Sequence, residues 1–251
     1  MKYIVLSFDD GKKDFFTNTL PILKKHGIPA VLNVVSNFAN NPRHEGVFVT
    51  WDEIKICKDS GVEIANHSAN HSNETDQIIL GKEQICSHLG FSDAIGFASP
   101  YSTICKDNLH IYQPLIDSGC IKYIRSGNKV KRDGKFHIVL YVVYKCTKNK
   151  KIFLWYNRRN FIKLNDSLPA VFPSITSNNE NSLRHIIYCI EKMPDNSAVI
   201  INFHCIVKSP DEGVDIGKWY NDTDEFEQFC SYLSQNNNIS VITNNELSEL
   251  I

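Results

Sequence analysis

What this chain lacks narrows its class before any motif is considered. It has eight cysteines, at positions 57, 86, 105, 120, 146, 189, 205 and 230, yet no Cys-x-x-Cys pair. Neither a zinc knuckle nor a disulfide framework is expected, and most of these thiols read as reduced, buried small hydrophobes. Charge of one sign is lacking too: 27 Lys and Arg stand against 28 Asp and Glu, for a net charge of -1. No global field would draw in nucleic acid or an anionic membrane. The short basic runs Lys129-Val130-Lys131-Arg132 and Lys148-Asn149-Lys150-Lys151 read as solvated hairpin or loop charges. There is no long hydrophobic run: the apolar opening Tyr3 to Ser7 meets Asp9-Asp10, too soon for a secretion signal or a membrane span. A cytoplasmic protein is the expectation. With no internal repeat, low-complexity tail or linker, 251 residues at 42% hydrophobic content suit one domain over residues 1–251.

What is present is an alternation of short apolar runs with longer amphipathic segments, the pattern of βα units around a parallel sheet. Strands are expected at Tyr3 to Ser7, Ala30 to Val35, Val62 to Ala65, Ala94 to Ala98, Ile121 to Ile124, Ala198 to Phe203 and Ile239 to Ile242. Between them, helices are expected at Phe15 to His26, at Thr50-Trp51-Asp52-Glu53 onward (a capping-box spacing), at Thr75 to Leu89, Asp107 to Ser118, Ser182 to Lys192 and Asp224 to Ser234. Two β-rich runs, His137 to Tyr144 and Lys151 to Trp155, flank Thr147-Lys148-Asn149-Lys150 and read as an inserted β-hairpin. Ser174 to Asn181 reads as a surface loop.

Chemistry-bearing residues gather where these strands end. Strand one runs into Asp9-Asp10, strand three into His67, the Ile95-Gly96-Phe97 strand into Ser99-Pro100-Tyr101, and the last strongly apolar strand into His204. In parallel β/α folds the carboxyl ends of the strands share one face, and sites are built there. Taken singly, Asp9-Asp10-Gly11 is an ordinary turn, His67 and His71 an accidental four-residue spacing, and His204 a core histidine. Together they supply one carboxylate and two imidazoles, a three-ligand set that leaves metal positions open for water and substrate. A second carboxylate can accept a proton and an opposite histidine can donate one, so every part needed for amide hydrolysis is present.

At this point the sequence resembles the polysaccharide deacetylase family, the NodB-homology group within carbohydrate esterase family 4. Ser7-Phe8-Asp9-Asp10-Gly11 is similar to its first motif and His67-Ser68-Ala69-Asn70-His71 to its His-(Ser/Thr)-x-x-His motif. Pro100-Tyr101 resembles the core of its third motif, and Asn202-Phe203-His204 its last. The resemblance implies an irregular (β/α) barrel of about seven parallel strands, related to the TIM barrel. It implies Asp9 as general base, Asp10, His67 and His71 as ligands of one divalent metal ion, and His204 as general acid. Zn²⁺ is the first expectation, with Co²⁺, Mn²⁺ or Ni²⁺ as alternatives. Ser68 would brace the histidine loop, and the Tyr101 backbone N–H would stabilise an oxyanion, with Pro100 and Tyr101 against the substrate.

Two departures follow. The third motif here reads Phe97-Ala98-Ser99-Pro100-Tyr101, so the arginine that often opens it is missing; Arg125, after Ile121-Lys122-Tyr123-Ile124, is expected to restrain Asp9 in its place. The Asp-x-x-Asp-Trp fourth motif is not recognisable. Among Trp155, Trp219 and Tyr220, Trp219 is the best candidate for a sugar-stacking wall, because Gly217-Lys218-Trp219-Tyr220 follows His204 on a polar loop. The implied activity is removal of N-acetyl groups from amino sugars in a glycan or its precursor. Its rivals are hydrolysis of an O-acetyl or N-formyl sugar, a glycan-binding relative without catalysis and, more distantly, a metal-dependent phosphoesterase.

Overall fold

From the first strand Ile4, Leu6 and Phe8 point to one side and Val5 and Ser7 to the other, as the two-residue period of a strand requires, and Ile4 to Phe8 are all buried. A strand buried on both faces belongs between a filled barrel and a layer of helices. The computed structural model describes residues 1–127, 134–164, 171–208 and 219–250. Its strands are β1 (Lys2–Phe8), β2 (Val31–Val34), β3 (Glu63–Asn66), β4 (Ile95–Ala98), β5 (Ile121–Ser126), β6 (Ile162–Lys163), β7 (Val171–Thr176), β8 (Ser197–Phe203), β9 (Cys205–Ile206), β10 (Tyr220–Asn221) and β11 (Ile239–Val241). Parallel pairing runs β1-β2-β3-β4-β5-β7-β8 and returns from β8 to β1, closing a barrel of seven strands. β1 meets β2 only through Ser7 and Phe8, and β11 occupies the space beside its first residues, so the barrel is irregular there.

Alternation sorts the side chains. Ile4, Leu6, Phe8, Leu32 and Ile201 join the large core between barrel and helices, whereas Val5, Val31, Ala65, Tyr123, Phe172, Ala198 and Ile200 fill the barrel. Gly96 lets this interior close: a Cβ there would stand 1.9 Å from Cζ of Tyr123. Continuing each interior column by two or four residues towards the carboxyl end reaches Ser7 and Asp9, Asn33, His67, Arg125, and Asn202 and His204. The period that buries the apolar residues therefore also aims the polar ones at a common point.

The helices are α1 (Leu20–His26), α2 (Trp51–Asp59), α3 (Thr75–Leu89), α4 (Gln113–Asp117), α5 (Gly134–Thr147), α6 (Lys150–Asn157), α7 (Leu183–Lys192), α8 (Thr223–Gln235) and α9 (Asn244–Glu249). The expected capping box forms at α2, Thr50 Oγ1 accepting from Glu53 N–H and Glu53 Oε2 from Thr50 N–H, an arrangement whose cap contributes about 1 kcal/mol. Among the described residues no helix is long and apolar enough to cross a membrane.

Three expectations are corrected. The inserted β-hairpin is a pair of helices, α5 and α6, joined at Lys148 and Asn149. Its β-branched and aromatic composition favours strands, but tertiary contacts override that preference: the Tyr144 ring packs at a tilt against Phe153, 4.9 Å between centres, and its hydroxyl meets His185 Nδ1 of α7 at 3.1 Å. Ser174 to Thr176 belong to barrel strand β7 rather than to a loop. Pro173, which cannot donate to the ladder, and the polar Ser174 mask this strand in the sequence; the Ser174 hydroxyl is satisfied by donating to Ser126 O at 2.7 Å. Finally, the helix expected from Asp107 to Ser118 is broken into a 3-10 turn, Leu109–Ile111, and the short α4, with Pro114 in the first turn of α4. The basic run at Lys129 to Arg132 and the Gly217-Lys218 part of the Trp219 loop lie outside the described residues.

Candidate active site at the carboxyl ends of the barrel strands

β1 delivers Asp9 into the barrel mouth, and the chain then turns sharply, with Asp10 at φ 73° and Gly11 at φ 67°. The turn separates the two carboxylates: Asp9 is 4% exposed and points inward, whereas the side chain of Asp10 is 20% exposed. The loop after β3 is held as tightly. Asn66 Oδ1 accepts from Ser68 N–H at 2.8 Å, Asn66 Nδ2 donates to Ile78 O of α3 at 2.8 Å, and Ser68 Oγ accepts from Ser72 N–H at 2.9 Å. α3 can press onto this loop only because residue 81 is glycine; a Cβ there would lie 2.5 Å from Asn66 Oδ1. Ser68 and His71 both adopt positive φ, 64° and 63°, a conformation that costs about 1–3 kcal/mol per non-glycine residue and clusters at functional sites.

These turns bring three ligand atoms together. Asp10, His67 and His71 offer one atom each, all within 4.8 Å of one another. His67 Nε2 lies 3.5 Å and His71 Nε2 3.3 Å from Asp10 Oδ1. Two ligands bound at about 2.1 Å on a tetrahedral zinc ion would be about 3.4 Å apart, so the donor set fits one divalent ion. His67 Nδ1 faces Ala98 O at 2.8 Å; donation to that carbonyl fixes the tautomer that leaves Nε2 free as a ligand. Burial disfavours a charged His67, but Asp9 and Asp10 outweigh it and raise its pKa. Asp10 is held well below the usual carboxylate range, because hydrogen bonds from His67 and His71 outweigh its burial.

Arg125, at the end of β5 and without solvent exposure, forms an ion pair with Asp9 through Nη2. Ala98 leaves room for this: it is the register partner of Arg125 on the neighbouring strand. Asn33 Nδ2 donates to the same Asp9 Oδ1 at 2.8 Å. Burial would raise Asp9, yet Arg125, His67 and His204 outweigh it and lower its pKa. Asn33 was not foreseen, although a lone amide inside the apolar run Val31-Leu32-Asn33-Val34 was a signal. Asn73 was also missed; its Nδ2 donates to Pro100 O and to Thr103 Oγ1, both at 2.8 Å. It thereby holds the turn that places Tyr101 at φ 55° and its ring 4.6 Å from that of His71. Tyr101 is 70% exposed, whereas Pro100 is buried and contributes its carbonyl to the turn.

His204 leaves β8 beside this cluster. Burial lowers its pKa, with Asp9 and Asp10 acting in the opposite direction, and its Nδ1 has no partner among the described residues. The next two residues, β9, are gripped from two sides. Asp14 Oδ2 accepts from Ile206 N–H at 2.7 Å and Asn18 Nδ2 donates to Ile206 O at 2.9 Å, while Cys205 N–H donates to Trp219 O at 3.1 Å. This places the Trp219 ring 4.9 Å from that of His204. The cluster opens into a cavity of about 770 Å³ whose lining includes Asp9, Asp10, His67, His71, Tyr101, His204 and Trp219. Its far wall is formed by Tyr141, Tyr144, Phe153 and Tyr156 of the α5–α6 pair. Trp155 and Tyr220 do not line it.

Comparisons with known proteins point to one family and one fold. Residues 1–90 match the family model described as polysaccharide deacetylase. The poly-beta-1,6-N-acetyl-D-glucosamine N-deacetylase of Escherichia coli (strain K12) is 32% identical over 81 residues, which are 28% of this chain and only 12% of that protein. A structure from Mycobacterium smegmatis assigned to the polysaccharide deacetylases superposes with TM-score 0.60 at 12% identity, covering 99% of this chain and 89% of that one. A family 4 acetyl xylan esterase from Clostridium thermocellum, in complex with a cobalt ion, gives 0.53 at 18% identity over 99% and 91%. The two structures share the fold. The segment that matches the polysaccharide deacetylase model, residues 1–90, carries Asp9, Asp10, His67 and His71.

Proposed function

We propose that this protein is a metal-dependent hydrolase that removes N-acetyl groups from amino sugars, with one divalent ion held by Asp10, His67 and His71. The observation that carries the reading is the convergence of those three ligand atoms within 4.8 Å of one another in a cavity shared with Asp9 and His204. The matched Escherichia coli protein is named for deacetylation of poly-beta-1,6-N-acetyl-D-glucosamine, which supports an N-acetylated sugar as substrate. A volume of about 770 Å³ lies in the range of small-ligand sites and suits a sugar unit between Trp219 and the α5–α6 wall.

An ion bound there would act as a Lewis acid and lower the pKa of water. Asp9, kept ionised by Arg125, accepts a proton from the water that attacks the acetyl carbonyl carbon. The Tyr101 backbone N–H donates to the oxyanion that develops. As the carbon–nitrogen bond breaks, His204 delivers a proton to the leaving nitrogen; burial lowers its pKa and so makes its imidazolium a stronger acid. The nascent acetic acid gives up its proton to the amine, so that the products are acetate and an ammonium group, and the proton taken up by Asp9 returns to His204 to restore the starting state.

Acetate release from N-acetylglucosamine oligosaccharides by metal-loaded protein tests the reading. Activity abolished by chelation and restored by added Zn²⁺ or Co²⁺ is the expected result. Binding of the oligosaccharide with no acetate released, unchanged by Asp9→Asn, would replace it with a glycan-binding role; release from O-acetylated sugars alone would replace the amide with an ester.

A further inference from the structure

The α5–α6 pair carries a surface feature that neither the barrel nor the catalytic cluster uses. On α5, Val139, Val142, Val143 and Cys146 recur at the spacing of one helical stripe, and all four are exposed; Val139 is 54% and Val142 53% accessible. Ile138 beside them, at the rim of the cavity, is 63% accessible. Lys151 and Trp155 of α6 and Arg158 at its C-cap form a second exposed stripe, with the Arg158 guanidinium 4.6 Å from the Trp155 ring centre. Residues 138–160 hold Lys145, Lys148, Lys150, Lys151, Arg158 and Arg159 and no Asp or Glu, in a chain whose net charge is -1; Lys145 is ion-paired with Glu180, so the free basic surface centres on the other lysines. Among the described residues, Lys148, Lys150 and Lys151 form no ion pair. The near-neutral balance of the whole chain thus conceals a local field of one sign, set beside an exposed apolar stripe.

We infer that the α5–α6 pair docks onto an anionic lipid bilayer surface. A polyanion such as nucleic acid would explain the cations but gain nothing from exposed valines. A second copy of this chain would cover the valines but would bring two basic surfaces together. An anionic bilayer answers both, since apolar side chains enter the boundary between headgroups and acyl chains while Lys and Arg pair with lipid phosphates. An exposed tryptophan flanked by cations suits the same boundary. α5 and α6 also form the far wall of the cavity, so docking would hold the cavity against a surface on which a lipid-anchored saccharide is presented. That corollary rests on the deacetylase reading; the binding itself does not.

The test is co-sedimentation of the full chain with vesicles of phosphatidylcholine alone and with about 30% phosphatidylglycerol, over a salt series. Binding only to the anionic vesicles, weakened by salt, is expected. Lys150→Glu/Lys151→Glu should weaken it at least ~25-fold, about fivefold per lost cation, and Val139→Glu/Val142→Glu should weaken it comparably. All these positions are exposed, and unchanged circular dichroism and acetate release would show that the variants fold. Absence of binding by the wild-type chain, equal binding to both vesicle types, or full binding by both variants would overturn the inference. So would a concentration-dependent dimer that Val139→Glu/Val142→Glu dissociates while the wild-type chain ignores lipid. Because binding is read without turnover, a catalytically silent protein that still binds vesicles would refute the deacetylase reading and leave this one standing.

Discussion

Arg125 reaches across the barrel mouth to hold Asp9, one fully buried cation against one almost fully buried anion. Its Nε and Nη1 have no partner among the described residues, so Asp9 is the main compensation for a charge removed from water. Breaking such a pair by removing one partner costs about 3–5 kcal/mol, because the remaining charge is stranded. Arg125→Met is therefore expected to lower unfolding stability by about that amount in urea titrations. It should cost far less in an Asp9→Asn background, where no carboxylate is left stranded. Additive losses in the double variant would show that the pair is not coupled.

Metal removal gives a second expectation. His67→Ala or Asp10→Ala should reduce bound metal from one ion per chain to none at micromolar metal concentrations, measured by elemental analysis after dialysis. The wild-type chain should gain thermal stability on metal addition and lose it with chelator, as any ligand that binds only the folded state requires. The pKa of His67 is raised, and a ligand must be deprotonated to bind. Protons should therefore begin to displace the metal at a higher pH than for an ordinary histidine site, affinity falling as pH drops through that raised value.

His204 is proposed as the proton donor to the leaving group, and a leaving group that needs no proton should reveal this. His204→Ala is expected to slow release from an N-acetyl amide about 10²–10⁴-fold while an activated aryl acetate is hydrolysed at nearly the wild-type rate. Equal losses on both substrates would assign His204 to positioning or binding.

Much of this was legible in the sequence, for a physical reason. Buried parallel strands appear as short apolar runs, and the residues two or four beyond the last interior hydrophobe face the barrel mouth, so Asp9, His67 and His204 could be placed without coordinates. Arg125 was legible through the family resemblance, since Ala98 stands where an arginine often opens the third motif and Arg125 ends the next strand. What was not legible depends on partners distant in sequence. Nothing local shows that Tyr144 will pack against Phe153 and His185, and so the α5–α6 pair looked like strands. β7 was hidden because its polar interior residue, Ser174, bonds to a neighbouring strand. Asn73 resembled any loop asparagine until the Pro100 carbonyl was seen above it.

Asp14 offers a stability test independent of catalysis. It grips the segment after His204 by accepting from Ile206 N–H, and burial outweighs that bond, raising its carboxyl to about 6 from the ordinary 3.8. The folded chain therefore takes up a proton at Asp14 before the unfolded chain does. As pH falls from about 6 towards 4, this residue makes the folded state more stable; as pH rises through the same window that contribution is lost. Asp9 and Asp10, whose pKa values are lowered, act oppositely, and their contribution disappears only at pH below the ordinary carboxylate range. Asp14→Asn keeps an oxygen that can accept from Ile206 but cannot ionise. It should raise the melting temperature at pH 7 and flatten its dependence between about pH 4 and 6, measured by calorimetry; a curve as steep as that of the wild-type chain would mean that another group titrates in this window.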